Sequence, residues 1–210
     1  MGRPAVLSYA SYCLDNWYLI DKNKDISLDN VALINNFLGG VDEDWFVTIH
    51  VCIEDAASEA VRSTIALVEE TSESKIEMHL KNILGSLEKV NSIFKRMPEK
   101  CDPYIYYHRV RPYIFGWKNN PDLPKGLIYD GFYKNKPQQF RGETGAQSSI
   151  IPLLDALFDV KHKKDSLRDY LEEMLLYMPP AHRELIFQTK KNSKVKICLL
   201  YTSPSPRDNT

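Results

Sequence analysis

The sequence predicts an all-α fold, and three observations lead to that prediction. Apolar residues return every three or four positions over long stretches, as on one face of a helix. No segment shows the convincing alternation of apolar and polar residues that marks a half-buried strand. Proline and glycine collect between the periodic stretches, where helices end. At 210 residues the chain is long enough for one domain with a substantial core.

The first predicted helix lies near the start of the chain. Asp25 or Ser27 supplies a side chain suited to the N-cap position, and both alternatives remain open. The helix would run to Phe37 and end at Gly39-Gly40, because glycine commonly terminates helices in a left-handed conformation.

Two longer helices are predicted next. The segment 45–70 is apolar in its early turns, and Asp42 or Asp44 is available as its N-cap. The segment 76–97 repeats isoleucine, leucine and valine at helical spacing. It ends at Pro98, because proline lacks the amide hydrogen needed to continue a helix.

A further helix is predicted to begin at Asp102-Pro103, with proline at its first position. It would run to about Trp117. Pro112 interrupts the hydrogen bonding inside it, so the sequence predicts a kink near Arg111.

The second half of the chain opens with an irregular segment. Residues 118–148 are rich in glycine, proline and asparagine and show neither helical nor strand periodicity, which predicts a long loop. Loops of this length in compact domains are usually functional or disordered, and both alternatives remain open. Helical periodicity resumes over 149–160 and 166–177, and over 181–189 after a Pro-Pro break.

Composition excludes several function classes. A formal net charge of −1 gives no reason to expect nucleic acid or an anionic membrane as a partner. No apolar run approaches the roughly 20 residues of a membrane helix, and no signal peptide opens the chain. The cysteines lack disulfide or metal spacing, and none of the histidines has a ligand-type partner nearby. A cytoplasmic protein is therefore expected.

Two unusual runs point to a small-molecule site. The segment 106–121 places Arg111 among aromatic residues, which suits a ligand with a carboxylate and a flat apolar body. The glycine-rich run 142–149 can bring backbone close to such a ligand.

These runs belong to a larger pattern that resembles the indoleamine 2,3-dioxygenase family of haem enzymes. In family order the matching blocks are RPAVLSYASYCLDNW (3–17), DWFVTIHV (44–51), VRPYIFGWKNNP (110–121), GLIYDGF (126–132), GETGAQSS (142–149) and YMPPAHR (177–183). The resemblance implies an incomplete helical bundle of that family's large-domain type. Residues 3–197 would form part of the haem-binding domain, without the small N-terminal domain and the C-terminal helices.

The last residues differ from that pattern. The stretch 198–208 resembles the translation of a transposase adapter used in sequencing libraries, so we expect 198–210 not to be native. The alternative is an ordinary disordered tail rich in serine and proline. The family's axial histidine follows the YMPPAHR block at a distance that this chain does not reach. No residue is therefore assigned as the iron ligand.

The resemblance implies an activity. Ferrous haem b would activate dioxygen, and the indole ring of L-tryptophan or a related indoleamine would open to give N-formylkynurenine. A monomer is expected, and the incomplete chain by itself is expected to be inactive. The alternative function is a haem-based oxygen carrier resembling myoglobin, to which this fold has also been adapted. Arg111 favours the enzyme, because an oxygen carrier needs no carboxylate clamp.

The resemblance also assigns substrate contacts. Arg111 matches the arginine that clamps the substrate carboxylate, with Arg109 as the nearby competitor. Tyr106 matches the aromatic residue that stacks on the indole, and Tyr9 matches an aromatic residue of the pocket wall. Structural roles remain the alternative for each: neutralising a buried carboxylate for Arg111, and core packing for the two tyrosines.

The cofactor contacts are predicted in the same way. Thr144 and Gly145 match the small residues beside the haem edge and the substrate amino group, while Glu143 replaces a smaller residue. The resemblance implies that Phe46 and His50 lie on the helix that, in the family, covers the distal face of the haem. Thr48, Ile49 and His50 each remain candidates for the distal polar position.

Overall fold

The computed structural model describes residues 2–195, so the expectation for 198–210 lies outside the described residues. The predicted all-α class is confirmed, since helices dominate and the described residues form one small two-stranded sheet. No described helix is long and apolar enough to cross a membrane. The main elements are β1 (Trp17–Leu19), β2 (Val31–Leu33), α1 (Val41–Ala56), α2 (Ser58–Leu67), α3 (Glu73–Phe94), α4 (Pro103–Ile105), α5 (Arg111–Ile114), α6 (Ile150–Phe158), α7 (Ser166–Leu175) and α8 (Pro180–Asn192).

The first predicted helix is wrong, and so is the expectation of no strands. β1 and β2 pair antiparallel, with Tyr18 opposite Ala32. The Asn30 side chain explains the change, because its amide nitrogen donates to the carbonyls of Asp21, Lys24 and Asp25. Asparagine competes with helix formation by bonding to the local backbone in this way.

The predicted helix 45–70 is two helices. α1 begins at Val41, directly after Gly40 at φ +93°, and α2 follows a break at Ala57. The N-cap prediction is wrong, because Asp42 and Asp44 lie inside the first turn of α1. Their charges are favourable there, next to the positive end of the helix dipole.

Glu43 fixes the start of α1. Its carboxylate is fully buried and accepts hydrogen bonds at 2.8 Å from the backbone nitrogens of Phe37, Leu38 and Gly39. It also accepts one from the Tyr12 hydroxyl at 2.8 Å. The Glu43 side chain therefore connects the segment after β2, the first turn of α1 and the N-terminal segment.

The third predicted helix is confirmed with shifted bounds. α3 runs over Glu73–Phe94, and a 3₁₀ turn at Met97–Glu99 contains the predicted breaker Pro98. Ile76 and Ile83 bury their side chains in a core cluster shared with α1, α2 and α6.

The predicted cap at Asp102 is confirmed. Its Oδ1 accepts hydrogen bonds from the backbone nitrogens of Tyr104 at 2.8 Å and Ile105 at 3.1 Å. α4 is followed by a π-helical segment, Tyr106–Val110, and then by α5. The irregular geometry lies immediately before Pro112, where the missing proline amide predicted a kink. The helix ends at Ile114, a few residues before the predicted end at Trp117.

The segment 118–148 is largely irregular, as predicted, and it folds back on itself. Gly116 pairs with Arg141, and Leu127 pairs with Gln138. A Cβ atom on Gly142 would collide with the carbonyl oxygen of Ile114, and one on Gly116 would collide with the Gly142 nitrogen. Glycine is therefore required where the end of α5 meets the run 142–149.

Candidate functional site

Four aromatic side chains form one contiguous group, which we call the aromatic cluster: Tyr9, Phe46, His50 and Tyr106. Phe46 stacks on Tyr106 with ring centroids 4.2 Å apart. The His50 ring lies 4.3 Å from Phe46 and 5.8 Å from Tyr9, again between centroids. Phe46 and His50 are four residues apart on α1, so they share one face of the helix. Three distant parts of the chain, namely the N-terminal segment, α1 and the π-helical segment, thus meet in this cluster.

His50 presents an uncharged ring to this cluster. Its Nδ1 lies 2.7 Å from the Phe46 carbonyl, which accepts only, so Nδ1 carries the hydrogen. Burial lowers the pKa of His50, although the bond to Phe46 opposes that effect. Nε2 is left as an acceptor, 4.0 Å from where a Cβ on Gly145 would lie.

The structure distinguishes the three candidates for the distal position. Thr48 uses its hydroxyl to donate to the Trp45 carbonyl at 3.2 Å, within its own helix. Ile49 is fully buried in the core cluster shared with α3. Of the three, His50 is the residue whose side chain joins the aromatic cluster.

Tyr9 connects the cluster to the glycine-rich run. Its hydroxyl donates to Oε1 of Glu54 at 2.9 Å, and Ser148 donates to the same oxygen at 2.7 Å. Its backbone nitrogen donates to Gln147, whose side-chain nitrogen donates to the Gly142 carbonyl, both at 2.8 Å. Burial raises the pKa of Glu54 despite these bonds. The network fixes the run against α1.

Thr144 and Gly145 begin a 3₁₀ turn in that run. The Thr144 hydroxyl accepts from the Ala146 nitrogen at 3.5 Å and lies 3.5 Å from the Tyr170 hydroxyl of α7. Gly145 is exposed, and its missing side chain leaves space beside His50.

A cavity of about 520 Å³ opens on the other side of this turn. It lies among α6, α7 and α8, and its apolar wall includes Ile151, Leu171 and Phe187. Gly145 is the predicted site residue that also lines this cavity. Tyr106 and Arg111 do not line it, so the predicted set divides into two neighbouring parts that meet at Gly145.

This cavity was not predicted from the sequence. Ile151, Leu171 and Phe187 are large apolar residues that stay exposed on amphipathic helices, with 61%, 36% and 59% of their surface accessible. These helices carry more large apolar residues than a single core-facing side requires. That excess is the signal in the sequence that could have indicated the cavity.

Arg111 is half-buried at the start of α5, and Arg109 is exposed on the preceding π-helical segment. The competitor Arg109 is therefore the more solvent-exposed of the two arginines. Among residues 2–195, no ion pair engages the Arg111 guanidinium. Its charge acts on Glu143 and on the Tyr106 hydroxyl.

Glu143 is the unexpected residue of the site. It is 1% exposed, and neither of its carboxyl oxygens has a hydrogen-bond partner among the described residues. Burial raises its pKa to about 7, while the nearby Arg111 charge lowers it. The Tyr106 hydroxyl is likewise buried without a partner. The sequence indicated only that Glu143 replaces a smaller residue, whereas its burial was not predicted.

Residues 2–195 bring together no group of three or more His, Cys, Asp or Glu side chains suited to a metal ion. The histidines outside the cluster have protein partners: His182 bonds to Ser149 at 3.0 Å, and His162 pairs with Asp155 at 2.8 Å.

Comparison with known proteins places these features in a family. The sequence profile of the family described as indoleamine 2,3-dioxygenase matches residues 1–206. Indoleamine 2,3-dioxygenase 1 of Rattus norvegicus is 39% identical over 191 residues, which cover 89% of this chain and 47% of the relative.

Two fungal relatives give similar coverage. Indoleamine 2,3-dioxygenase of Saccharomyces cerevisiae is 30% identical, covering 93% of this chain and 47% of the relative. A 6-hydroxytryptophan 2,3-dioxygenase of Fusarium equiseti is 27% identical, covering 93% and 49%. The chain spans about half the length of the curated relatives it matches. The extent of these matches shows that the chain belongs to the indoleamine 2,3-dioxygenase family.

Proposed function

We propose that the protein carrying this chain is a haem-dependent dioxygenase that opens the indole ring of L-tryptophan to give N-formylkynurenine. Residues 3–197 form part of its haem-binding helical domain in this proposal, and the protein is a cytoplasmic monomer. The observation that carries the proposal is the position of Gly145, between the aromatic cluster and the 520 Å³ cavity.

The cavity fits a flat, largely apolar cofactor with carboxylate groups. Its volume of about 520 Å³ lies within the range of cofactor pockets. Apolar side chains form most of its walls, and the lining also holds three cations (Arg168, Arg183 and Lys190) and three carboxylates (Asp155, Asp159 and Glu172). Arg168 already pairs with Glu172 at 2.8 Å, so Arg183 and Lys190 would be the partners for the propionates. Haem b bound there would supply the activation of dioxygen. The absence of a side chain at Gly145 leaves room at the cofactor edge.

The aromatic cluster would bind and orient the indole. Phe46 and Tyr106 already stack on one another, so their faces offer an apolar surface that excludes water. His50 Nε2 is an acceptor, and the indole N–H is a donor, so the two are chemically matched. Arg111 would clamp the carboxylate with two parallel hydrogen bonds, which fixes the substrate orientation.

A haem-based oxygen carrier is the alternative function. The free Arg111 guanidinium argues against it, because bound dioxygen has no carboxylate for this group to recognise. Reversible oxygen binding without product formation would instead support the carrier.

The experiment is haem reconstitution of the full-length protein, followed by a Soret spectrum and a kynurenine assay with L-tryptophan under oxygen. We expect stoichiometric haem and product formation. The critical variant is Gly145→Leu, which would fill the space between His50 and the cavity and abolish turnover.

Gly85→Leu is the matched control. Gly85 lies on α3, and no atom lies within 4 Å of a Cβ added there, so this variant should keep full activity. Failure of the full-length protein to bind haem, or unchanged turnover in Gly145→Leu, would contradict the proposal.

A further inference from the structure

The site contains a buried carboxyl group, that of Glu143, near the guanidinium of Arg111. The proposed function assigns no role to this carboxyl group. Glu143 lies directly beside α5, because its backbone nitrogen donates to the Ile114 carbonyl at 2.9 Å. Arg111 is one helical turn before Ile114, and its positive charge acts on Glu143. The two opposite charges therefore face the same small region next to Tyr106.

Neither group has a hydrogen-bond partner or a close ion pair among residues 2–195. No ion pair joins Arg111 to Glu143, and both Glu143 oxygens lack hydrogen-bond donors among residues 2–195. A buried ion without partners costs several kcal/mol, so native proteins pair such groups unless a ligand provides the partner.

The neighbouring hydroxyl groups are bound elsewhere. Tyr9 donates to Glu54, and Tyr12 donates to Glu43, so neither can satisfy Glu143 at the same time. The Tyr106 hydroxyl is free, but it is also without a partner. Both Glu143 oxygens thus keep their capacity to accept hydrogen bonds.

We infer that Glu143 binds the ammonium group of a zwitterionic amino-acid substrate while Arg111 binds its carboxylate. Opposite charges on a rigid backbone match the two charges of a free α-amino acid. The inference rests on the proposed function for the indole part of the ligand. It adds a specificity residue that selects free amino acids over indoles without a charged amine.

Glu143 must lose its proton to act in this way. Burial holds its pKa at about 7, so zwitterion binding should strengthen as the pH rises from 6 to 8. Burial lowers the pKa of His50, so the titration of this histidine moves in the direction opposite to that of Glu143. The titratable and charged groups that face Glu143 are Tyr9, Tyr12 and Cys13 from the N-terminal segment, Tyr106 from the π-helical segment, and Arg111 from α5.

The test is calorimetric binding to the full-length protein with two ligands. L-tryptophan carries both charges, whereas indole-3-propionate keeps the ring and carboxylate but lacks the ammonium. Glu143→Gln should weaken L-tryptophan binding roughly 10-fold to 100-fold, the effect of one charge-assisted hydrogen bond. It should leave indole-3-propionate binding unchanged or stronger, and it should remove the rise in affinity between pH 6 and 8.

Glu184→Gln is the control, because Glu184 is an exposed carboxylate on α8 that bonds to Gln188. Binding of both ligands should be unchanged in this variant. Thermal unfolding of Glu143→Gln should show equal or higher stability, whereas a structural role would lower it.

The outcomes separate this inference from the proposed function. Equal L-tryptophan binding in wild type and Glu143→Gln would overturn the inference, even if turnover supports the dioxygenase. Glu143-dependent binding without turnover would support the inference and contradict the dioxygenase. Failure of the wild-type protein to bind L-tryptophan would overturn both.

Discussion

Glu43 and Glu143 are both fully buried glutamates, but they differ in the hydrogen bonds that their carboxyl groups receive. The Glu43 carboxylate accepts hydrogen bonds from three backbone nitrogens and the Tyr12 hydroxyl. Glu143 receives no hydrogen bond among the described residues. The hydrogen bonds to Glu43 connect separate parts of the fold, whereas Glu143 is left beside Arg111 without a hydrogen bond. Burial alone therefore does not define a role; the partners do.

The largest expected effect is the loss of Glu43. Glu43→Ala would leave the buried Tyr12 hydroxyl and three partly buried backbone nitrogens without their acceptor, which should lower the free energy of unfolding by about 3–5 kcal/mol. Urea denaturation of wild type and variant measures this difference. A loss below about 1 kcal/mol would mean that the Glu43 network is not structural, and the comparison with Glu143 would fail.

Arg111→Ala removes the cation that lies beside Glu143. Removing a partly buried clamp should cost on the order of 2–5 kcal/mol of binding, seen as a higher KM for L-tryptophan. Haem content of the full-length protein should change little, which separates substrate binding from folding. Unchanged kinetics would move the carboxylate site elsewhere, and Arg109→Ala is then the variant to compare.

Glu143→Gln should stabilise the folded protein, whereas Glu43→Ala should destabilise it. Glutamate has an ordinary pKa of 4.5, and in the folded protein the pKa of Glu143 is raised to about 7. Between these values the folded state retains a proton that the unfolded chain releases, so wild-type stability falls as the pH rises. The variant lacks this loss and should gain at most about 3 kcal/mol at pH 8 relative to wild type.

Unfolding of both proteins at pH 4 and pH 8 checks this prediction. The difference should vanish at pH 4, where the carboxyl group is protonated in both states. A variant that is less stable than wild type at pH 8 would show that Glu143 has protein partners after all.

Tyr9→Phe is the smallest change. It removes one hydroxyl from Glu54, which keeps its bond from Ser148, so the expected loss is about 0.5–1.5 kcal/mol. Thermal denaturation measures it. A loss as large as that of Glu43→Ala would place Glu54, rather than Glu43, at the centre of the structural network.

Much of the fold was predictable because helices leave a local signal. The periodicity of 76–97 and the Asp102-Pro103 start depend on neighbouring residues, and both appear in the structure. The hairpin was not predicted, because it depends on Asn30 bonding to carbonyls across a turn rather than on periodicity. The break at Ala57 has no proline or glycine to mark it.

The site was predictable in part, and for a different reason. Resemblance to the family identified the aromatic residues, and the structure brings Tyr9, Phe46, His50 and Tyr106 together. The burial of Glu143 depends on tertiary packing against α5, which no local pattern encodes. The cavity among α6, α7 and α8 likewise depends on how three helices are arranged.

The glycine contact between Gly116 and the run 142–149 has a consequence for variation among relatives. Gly116 pairs with Arg141, so the main chain fastens both ends of the intervening loop to each other. The spacing of Arg111 and Glu143 is therefore independent of the loop's length. Lengthening a flexible loop adds little closure entropy, so insertions between 118 and 139 should be tolerated. Evolution can reshape this surface segment while the positions of the two charges stay constant.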